Sequence, residues 1–544
     1  MPERWYQQGV VYSLDVETFQ DSNGDGVGDL PGLVSRLDYL ARLGVSTLWL
    51  NPIHPTPGRD DGYDLTDYYG VDPRLGTLGD FVELVHQCEN RGIRLMLDLV
   101  VNHTSDEHPW FVSARSSPDS PYRDWYVWSP TEPPHREEGV VFPGYQRGTW
   151  SYDEQAEAWY HHRFYEFQPD LNWSNPEVRA EMGRVVAFWL QLGVSGLRMD
   201  GAPFVIEEVH PDSADRTMHY EWLEDLRDHI GWRRGDAAVL AEANVPREQL
   251  LEFFGDRGNR LQLMFNFAEN QRIFLALARG SATPVVTAIE SSPALPPACS
   301  WATFLRNHDE IDLSGLQETE RADVFARFGP DKEMQLYGRG IRRRLAPMLG
   351  GDQRFIRLAY VLQLSLPGTP VIRYGEEIGM GDDLSLDQRN AIRTPMQWAD
   401  APQGGFTTAD EAVRPVIGKG DFGYPAVNVR DQQQDPESLL CWFQRTIDAL
   451  RECPEIGCGT VTVLDAQTEQ ALALRYDGPT GCVLAVLNLG EDACELDLAE
   501  QVQAADGFPV DVLADRAYPA AEPGALAVDG RGYRWLRLAR GIGA

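Results

Sequence analysis

Four apolar runs of the sequence end in side chains that can do acid–base chemistry. They are Asp98–His103, Gly196–Asp200, Leu240–Asn244 and Arg306–Asp309. Three of them carry a carboxylate near their end, at Asp200, Glu242 and Asp309. A retaining glycosidase needs two carboxylates about 5 Å apart, one to attack the anomeric carbon and one to protonate the leaving oxygen. The pattern therefore predicts cleavage of a glycosidic bond through a covalent intermediate.

The neighbours of the three carboxylates predict a different role for each. Arg198 lies two residues before Asp200 on the same strand face, so its charge would keep Asp200 ionised as the nucleophile. Glu242 lies between alanines in an apolar run, which would raise its pKa and suit the proton donor. Asp309 follows His308 and would stabilise a sugar ring that gains positive charge in the transition state.

Eight β-branched or apolar runs alternate with helical patterns and predict the elements that position these residues. The predicted strands are Val10–Phe19, Val45–Ile53, Ile93–His103, Val194–Gly201, Ala238–Asn244, Leu261–Phe267, Ala302–Asp309 and Thr369–Ile378. The helical patterns include Leu30–Leu43, Leu78–Arg91, Pro176–Leu192 and Gln353–Leu364. Because each parallel crossover needs a covering helix, the alternation predicts an α/β fold with a closed (β/α)8 TIM barrel. The acid–base residues would lie at the carboxyl ends of its strands.

Departures from this alternation predict appended units. Residues 104–175 are rich in Pro, Trp, Tyr and charge and predict a small inserted domain after the third strand. A second insertion, Glu310–Leu349, would cover the barrel mouth as a lid. After a last predicted helix at Ser438–Arg451, alternating runs such as Ala471–Tyr476 predict an antiparallel β-sandwich. The predicted domains are the barrel at 1–103 and 176–456, the insertion at 104–175 and the sandwich at 457–544.

Composition and charge limit the classes of partner. The chain has 544 residues, 43% of them hydrophobic, and a formal net charge of −35. This excess of acid disfavours nucleic acids and anionic membranes, and no apolar run is long enough for a membrane span. Seven scattered cysteines without metal-ligand spacing, and an N-terminus without an apolar targeting segment, predict a cytoplasmic protein. A homo-oligomer is compatible with the sequence, and no organic cofactor is expected.

A glycine-rich loop after the first predicted strand places oxygen donors at alternate positions. The donors are Asp21, Asn23, Asp25, the main chain of Val27, and Asp29. Such oxygen sets favour a hard cation, so the loop predicts structural Ca²⁺, with Mg²⁺ as the alternative ion. The twelfth position is Gly32, so the bidentate Glu of an EF-hand is missing. A solvated acidic turn is the other interpretation.

The four runs described first resemble signature regions of the α-amylase superfamily (glycoside hydrolase family 13). Gln168–Asn172 resembles a fifth region, which is typical of members that act on short α-glucosides. Four further segments are similar to the trehalose synthase group of that superfamily, namely Arg59–Asp64, Asn102–Phe111, Gly340–Pro347 and Ile392–Trp398. The resemblance implies an enzyme that cleaves an α-glucoside such as maltose, keeps the freed sugar and rejoins it as trehalose.

The resemblance also implies roles for individual residues. Asp200 would be the nucleophile, Glu242 the acid/base and Asp309 the transition-state stabiliser. The sugar in the cleaved position would be bound by Asp60, Tyr63, His103, Phe164, Arg198, His308 and Arg393. Asp60 would pair with Arg393 to bind a terminal hydroxyl, while Tyr63 and Phe164 would provide apolar platforms. A second metal site would comprise Asn102, Asp170 and Glu207 with main-chain oxygens near Phe204.

Two departures from the family pattern leave the acceptor sugar open. The chain reads Gly201–Phe204 directly after the nucleophile, and the following loop Val209–Tyr220 has different residues from those of the family. An exo-acting α-glucosidase, which transfers glucose to water or to another acceptor, is therefore an alternative. A non-catalytic carbohydrate-binding protein on the same barrel is a third hypothesis, which the presence of all three carboxylates disfavours.

Overall fold

Eight parallel strands close into a barrel, in which each strand pairs with its neighbours along the chain and the eighth pairs with the first. The computed structural model describes residues 4–502 and 508–539; residues 1–3, 503–507 and 540–544 of the predicted domains lie outside the described residues. From first to eighth, the barrel strands are Val11–Leu14, Thr47–Leu50, Arg94–Leu99, Gly196–Met199, Ala238–Ala241, Leu263–Phe265, Ser300–Phe304 and Thr369–Arg373. The predicted (β/α)8 barrel is confirmed.

The barrel strands are shorter than the apolar runs that predict them. Each lies within its predicted run, except the seventh, which begins two residues earlier at Ser300. Side chains such as Trp49, Met96 and Phe304 fill the interior, and the outer faces pack against helices. The polar ends of the predicted runs lie beyond the last paired residues, where they reach the barrel mouth.

Helices cover the outside of the barrel. The longer ones are Leu30–Leu43, Leu78–Glu89, Pro176–Gln191, Glu221–Arg233, Arg247–Phe254, Phe267–Arg279, Thr283–Ser291, Gln353–Ser365 and Leu439–Glu452. Side-chain caps fix the starts of six of these nine helices, as where Thr77 and Asp80 form a reciprocal capping box. Single-turn helices occur at Ala202–Val205, Leu345–Met348, Val429–Gln432 and Glu455–Cys458. Across the described part of the chain, no helix combines the length and the hydropathy that a bilayer crossing needs.

Two insertions meet over the barrel mouth. The first contains the helix Pro109–Ser116 and a three-stranded antiparallel sheet of Trp128–Ser129, Ala158–His161 and Trp150–Asp153. The second, the predicted lid, contains the helix Glu318–Phe328 and a small sheet of Ile311–Asp312, Gly340–Ile341 and Gln335–Leu336. The ring centroids of Phe142 and Tyr337 lie 5.3 Å apart, so the two insertions are in direct contact.

The loop that departs from the family pattern folds as a hairpin, and the C-terminal region is antiparallel. The hairpin pairs Glu207–His210 with Ser213–Met218 beside the barrel mouth. The main C-terminal sheet has the order Thr460–Leu464, Ala471–Gly478, Gly481–Asn488, Tyr533–Ala539, Phe508–Ala514. A second sheet pairs Cys494–Leu496 with Leu526–Val528, and one apolar cluster joins both sheets. The predicted antiparallel β-structure is confirmed.

Candidate active site

A cavity of about 490 Å³ opens at the carboxyl ends of the barrel strands. It brings together the predicted catalytic residues Asp200, Glu242 and Asp309, which follow the fourth, fifth and seventh strands. Five of the predicted sugar-binding residues also line it, namely Asp60, Tyr63, His103, Phe164 and His308. Residues far apart in the chain converge here because all eight parallel strands end at the same face of the barrel.

Arg198, in the fourth strand, links two of the carboxylates. Its Nη1 donates to Asp200 Oδ1 at 2.6 Å, and its Nη2 contacts the carboxylate of Glu242. Nη1 also lies 3.0 Å from Asp98 Oδ1. Arg198 is only 1% exposed, so it acts on a bound sugar through the carboxylates that it orients. The structure therefore contains the Arg198–Asp200 pair that the sequence predicts.

The environment of Glu242 is less apolar than its neighbours in the sequence indicate. Ala241 and Ala243 are buried, but the Glu242 side chain is 27% exposed and touches the guanidinium of Arg198. A guanidinium in contact favours the carboxylate over the acid, whereas a proton donor needs a raised pKa. The donor role of Glu242 stays a prediction, and it depends on how far another group offsets the charge of Arg198.

Asp309 is surrounded by cationic and hydrogen-bonding groups. Arg389 Nη1 and Arg393 Nη2 each lie 3.0 Å from its Oδ1, and His308 Nε2 lies 3.2 Å from its Oδ2. Burial opposes ionisation, but Arg389, His308 and Arg393 hold the pKa of Asp309 well below its usual value. Burial also lowers the pKa of His308, although Asp309 opposes that shift. Asp309 is thus a fixed negative charge at the cavity, which is what a transition-state stabiliser requires.

Arg393 does not pair with Asp60, and this prediction was wrong by one residue. Its guanidinium contacts Asp61, which also contacts Arg414. Asp60 instead accepts a hydrogen bond from Gln168 Nε2 at 2.8 Å, and burial raises its pKa to about 6. The loop turns at Asp61, where φ is +47°, so the adjacent carboxylates diverge and only Asp60 lines the catalytic cavity.

Aromatic rings form one side of the cavity. Tyr63 stacks on His308 with ring centroids 5.5 Å apart, and its hydroxyl donates to Asp98 Oδ2 at 2.9 Å. Phe164 meets His103 edge-on at 5.1 Å. These contacts fix the orientation of rings against which the apolar faces of a sugar could lie.

One wall of the cavity joins three parts of the chain. Asn244, after the fifth strand, donates from Nδ2 to Asp312 Oδ2 at 2.9 Å. Arg339 lines the same wall, and its Nη2 donates to the main-chain oxygen of Val141 at 2.9 Å. Asp312 and Arg339 belong to the lid and Val141 to the first insertion. The sequence predicts no role for these residues, because the side chains of a lid that face the cavity depend on how the lid folds.

Arg389 is a further charged site residue that the sequence reasoning missed. It lines the cavity and contacts both Asp309 and Glu310. Its position four residues before Arg393 was a usable signal, since two arginines at that spacing can serve one site when the local backbone is helical. Arg389 lies in a short 3-10 helix, Gln388–Ile392, and Arg393 follows directly after it.

The predicted metal loop is held in shape by its own hydrogen bonds. The carboxylate of Asp21 accepts three N–H groups of the loop at 2.8–2.9 Å, and Asp29 Oδ1 accepts the N–H of Gly32 at 2.6 Å. Asp25 is exposed. Within residues 4–502 and 508–539, no three His, Cys, Asp or Glu side chains form a group that could hold a metal ion. The oxygen-only donor set fits a hard cation by its chemistry, so calcium at this loop stays a prediction.

The residues of the second predicted metal site lie close together, and positively charged side chains already contact them. Asn102 Nδ2 donates to Asp170 Oδ1 at 2.9 Å, and His161 Nδ1 lies 3.1 Å from Asp170 Oδ2. The guanidinium of Arg163 contacts Glu207, while its main-chain N–H donates to Asp170 at 3.0 Å. The guanidinium of Arg163 already places a positive charge beside Glu207, and a metal ion at this group stays a prediction.

Comparison with known proteins agrees with the fold of the chain. The model of the α-amylase catalytic domain family matches residues 14–325 and 342–456. A trehalose synthase of Pimelobacter sp. (strain R48) is 38% identical over 553 residues, which cover 98% of this chain and 96% of that protein. A trehalose synthase of Thermus thermophilus is 40% identical over 527 residues, covering 96% of this chain, but the chain spans only about half, 54%, of that relative. The trehalulose synthase MutB from Pseudomonas mesoacidophila MX-45 superposes with a TM-score of 0.78 at 25% identity, covering 99% of this chain and 100% of that one.

A parallel barrel with three carboxylates around one mouth cavity defines an enzyme class that acts on glycosidic bonds. The chain belongs to the α-amylase family. Within that family it is similar to trehalose synthases over nearly its full length.

Proposed function

We propose that this chain is a retaining α-glucosyl-transferring isomerase that converts maltose into trehalose. The observation that carries the proposal is the covered cavity in which Asp200 and Glu242 share the guanidinium of Arg198. The names of the trehalose synthase relatives support the same reaction, and MutB is by name a trehalulose synthase.

The proposed reaction consists of two displacements at the anomeric carbon, and each catalytic residue has a separate role in them. Asp200 attacks the anomeric carbon of the terminal glucose while Glu242 protonates the departing oxygen, which yields a β-glucosyl ester on Asp200 and free glucose. The freed glucose turns, and its anomeric hydroxyl attacks the anomeric carbon of the glucosyl ester while Glu242 takes the proton and the bond from that carbon to Asp200 breaks. Two inversions restore the α configuration. Asp309 stabilises the positively charged ring in both transition states.

Exclusion of water distinguishes this isomerase from the exo-acting α-glucosidase. The first insertion and the lid meet above the cavity, and the wall that we assign to the acceptor sugar is held by the Asn244–Asp312 hydrogen bond. A cavity partly covered in this way retains the leaving glucose and limits attack by water on the ester. The contact between the insertions therefore favours the isomerase.

Product analysis tests the proposal. The enzyme is incubated with maltose, and the products are separated by chromatography; trehalose is expected. Asp200→Ala should reduce turnover by at least about 10⁴-fold, whereas Asp212→Asn, a change at an exposed acid of the hairpin, should not. Free glucose without trehalose would reject the isomerase in favour of the hydrolase, and unchanged turnover in Asp200→Ala would reject catalysis at this cavity.

The remaining predictions accompany this proposal. We propose a structural calcium ion, or magnesium in its place, at the loop of Asp21, Asn23, Asp25, Val27 and Asp29, supported by its oxygen-only donors. Small α-glucosides are the proposed substrates, and a homo-oligomer stays a hypothesis. A cytoplasmic location is supported by the free thiols of Cys88, Cys299, Cys441, Cys453, Cys458 and Cys494.

A further inference from the structure

A second cavity, of about 340 Å³, lies beside the catalytic cavity. It is formed by the segment after the fifth barrel strand, the end of the sixth strand and the helix Thr283–Ser291. Asn244, Val245, Pro246 and Phe267 line both cavities, so the two share a wall. The three predicted catalytic carboxylates line the first cavity alone.

Two buried polar side chains at the second cavity lack partners in the described part of the chain. The carboxyl group of Glu269, a residue 4% exposed that lines the cavity, makes no ion pair or side-chain hydrogen bond there. The amide of Gln271, also 4% exposed, makes no such hydrogen bond either. Because buried polar groups are normally satisfied, unmet hydrogen-bonding capacity around a cavity indicates a polar ligand.

Aromatic rings provide the rest of the recognition surface. Phe265, Phe267 and Trp301 line the cavity together with the polar groups. A hexose has apolar ring faces and a rim of hydroxyls, so aromatic rings and polar side chains together match its surface. The volume also falls at the lower end of the range of about 300–1,000 Å³ that small-molecule pockets have.

The charges around the cavity favour a neutral ligand. Arg272, which lines it, already donates from Nη1 to Glu320 Oε1 at 2.6 Å, so its charge is compensated. Burial raises the pKa of Glu269 to about 8, so this carboxyl group is largely protonated at neutral pH and can both donate and accept hydrogen bonds. An anion and a cation are therefore both less suitable than a polyhydroxylated neutral molecule.

We propose that the second cavity binds one neutral hexose, with Glu269 and Gln271 hydrogen-bonding its hydroxyl groups. The site is separate from the catalytic cavity and goes beyond the proposed reaction. Free hexose in solution fills this site reversibly, and no glycosidic bond is broken there.

Glucose binding measures the site directly. Equilibrium binding of labelled glucose to the full chain should give two equivalents, one in each cavity. Ala288→Phe places a ring in the second cavity and should remove one equivalent, while Ala288→Ser at the same position should retain both. Crystals soaked in glucose should show a sugar beside Glu269 in the wild type and none in Ala288→Phe.

A second pair of variants tests the hydrogen bonds without filling the cavity. Glu269→Leu should weaken the second equivalent at least tenfold, whereas Glu269→Gln, which keeps a neutral hydrogen-bonding group, should retain it. An equal number of equivalents in the wild type and in Ala288→Phe, or density for water alone in the second cavity, would overturn the proposal, whatever the catalytic cavity binds. Trehalose formation from maltose, measured on the same preparations, should be unchanged in Ala288→Phe, so failure of the binding site and failure of the proposed reaction are distinguishable.

Discussion

Arg198 Nη1 lies 3.0 Å from Asp98 Oδ1, and both side chains are buried beneath the catalytic carboxylates. Burial raises the pKa of Asp98 to about 7, although Arg198 opposes this shift. Asp98 therefore changes charge near neutral pH. Above that pH it offsets part of the positive charge that Arg198 presents to Asp200 and Glu242.

Replacement of Asp98 should move the pH profile of the enzyme. In Asp98→Asn the charge of Arg198 is no longer offset, so the pKa of Glu242 falls and its acid form is lost at lower pH. We expect the alkaline limb of kcat/KM to shift down by about one pH unit. At pH 8, kcat should fall about tenfold with little change in KM. Below pH 6, where Asp98 is already protonated in the wild type, the variant should behave normally.

Asp38→Asn is the matched control for this experiment, because the side chain of Asp38 is 70% exposed and pairs with Arg91 at the surface. Its pH profile should match that of the wild type. If Asp98→Asn loses the same factor of activity at every pH, Asp98 supports the fold and not the proton affinity of Glu242.

The sequence predicts the elements of this fold better than it predicts the directions of side chains. The barrel follows from eight buried runs, and Asp200, Glu242 and Asp309 follow from where those runs end. The contact of Arg393 with Asp61 instead of Asp60 does not follow from the sequence, because it depends on one left-handed backbone angle within a loop. The ion pair between Arg163 and Glu207 is equally hard to predict from the sequence, since 43 residues separate the two along the chain.

Asp60 should make sugar binding depend on pH. Its pKa of about 6 means that the carboxylate predominates above pH 6 and the neutral acid below it. Only the carboxylate accepts a charge-assisted hydrogen bond from a sugar hydroxyl, so KM for maltose should rise as the pH falls below 6. Asp60→Asn should raise KM about 10-fold or more at pH 7.5 and remove its pH dependence. Asp67→Asn, at an exposed acid of the same loop, should leave both unchanged; a KM for Asp60→Asn that still rises below pH 6 would assign the titration to another group.

Calcium should stabilise the protein through the loop of Asp21–Asp29. Binding to the folded state alone raises the unfolding temperature with ligand concentration. We expect calcium to raise the Tm of EDTA-treated protein by about 3 °C and Asp25→Asn to lose most of that gain. Because Asp25 is exposed, the variant should unfold at the wild-type temperature without metal. An equal calcium response in both proteins would place the ion elsewhere.

The contact between Phe142 and Tyr337 should control the partition between isomerisation and hydrolysis. Phe142 also stacks on Tyr165, with ring centroids 4.8 Å apart. The guanidinium carbon of Arg389, which contacts Asp309, lies 4.9 Å from the ring centroid of Phe142. Tyr337 therefore completes an aromatic cluster directly above Arg389. Removal of the Tyr337 ring opens this closure to water while leaving Asp200 and Glu242 in place. In Tyr337→Ala, the ratio of free glucose to trehalose should therefore rise about 5- to 10-fold, with total maltose consumption reduced by less than about threefold.

Tyr145 offers the matched control for the closure. It meets Tyr337 edge-on at 5.6 Å but is 53% exposed, so Tyr145→Ala removes an aromatic ring from the outer side of the same cluster. Its product ratio should stay within about twofold of the wild type. Glucose and trehalose are quantified from maltose in one chromatographic run for all three proteins. A wild-type ratio in Tyr337→Ala would mean that water is excluded at the Asn244–Asp312 wall, and the same measurement on Asp312→Ala would then show the rise in glucose.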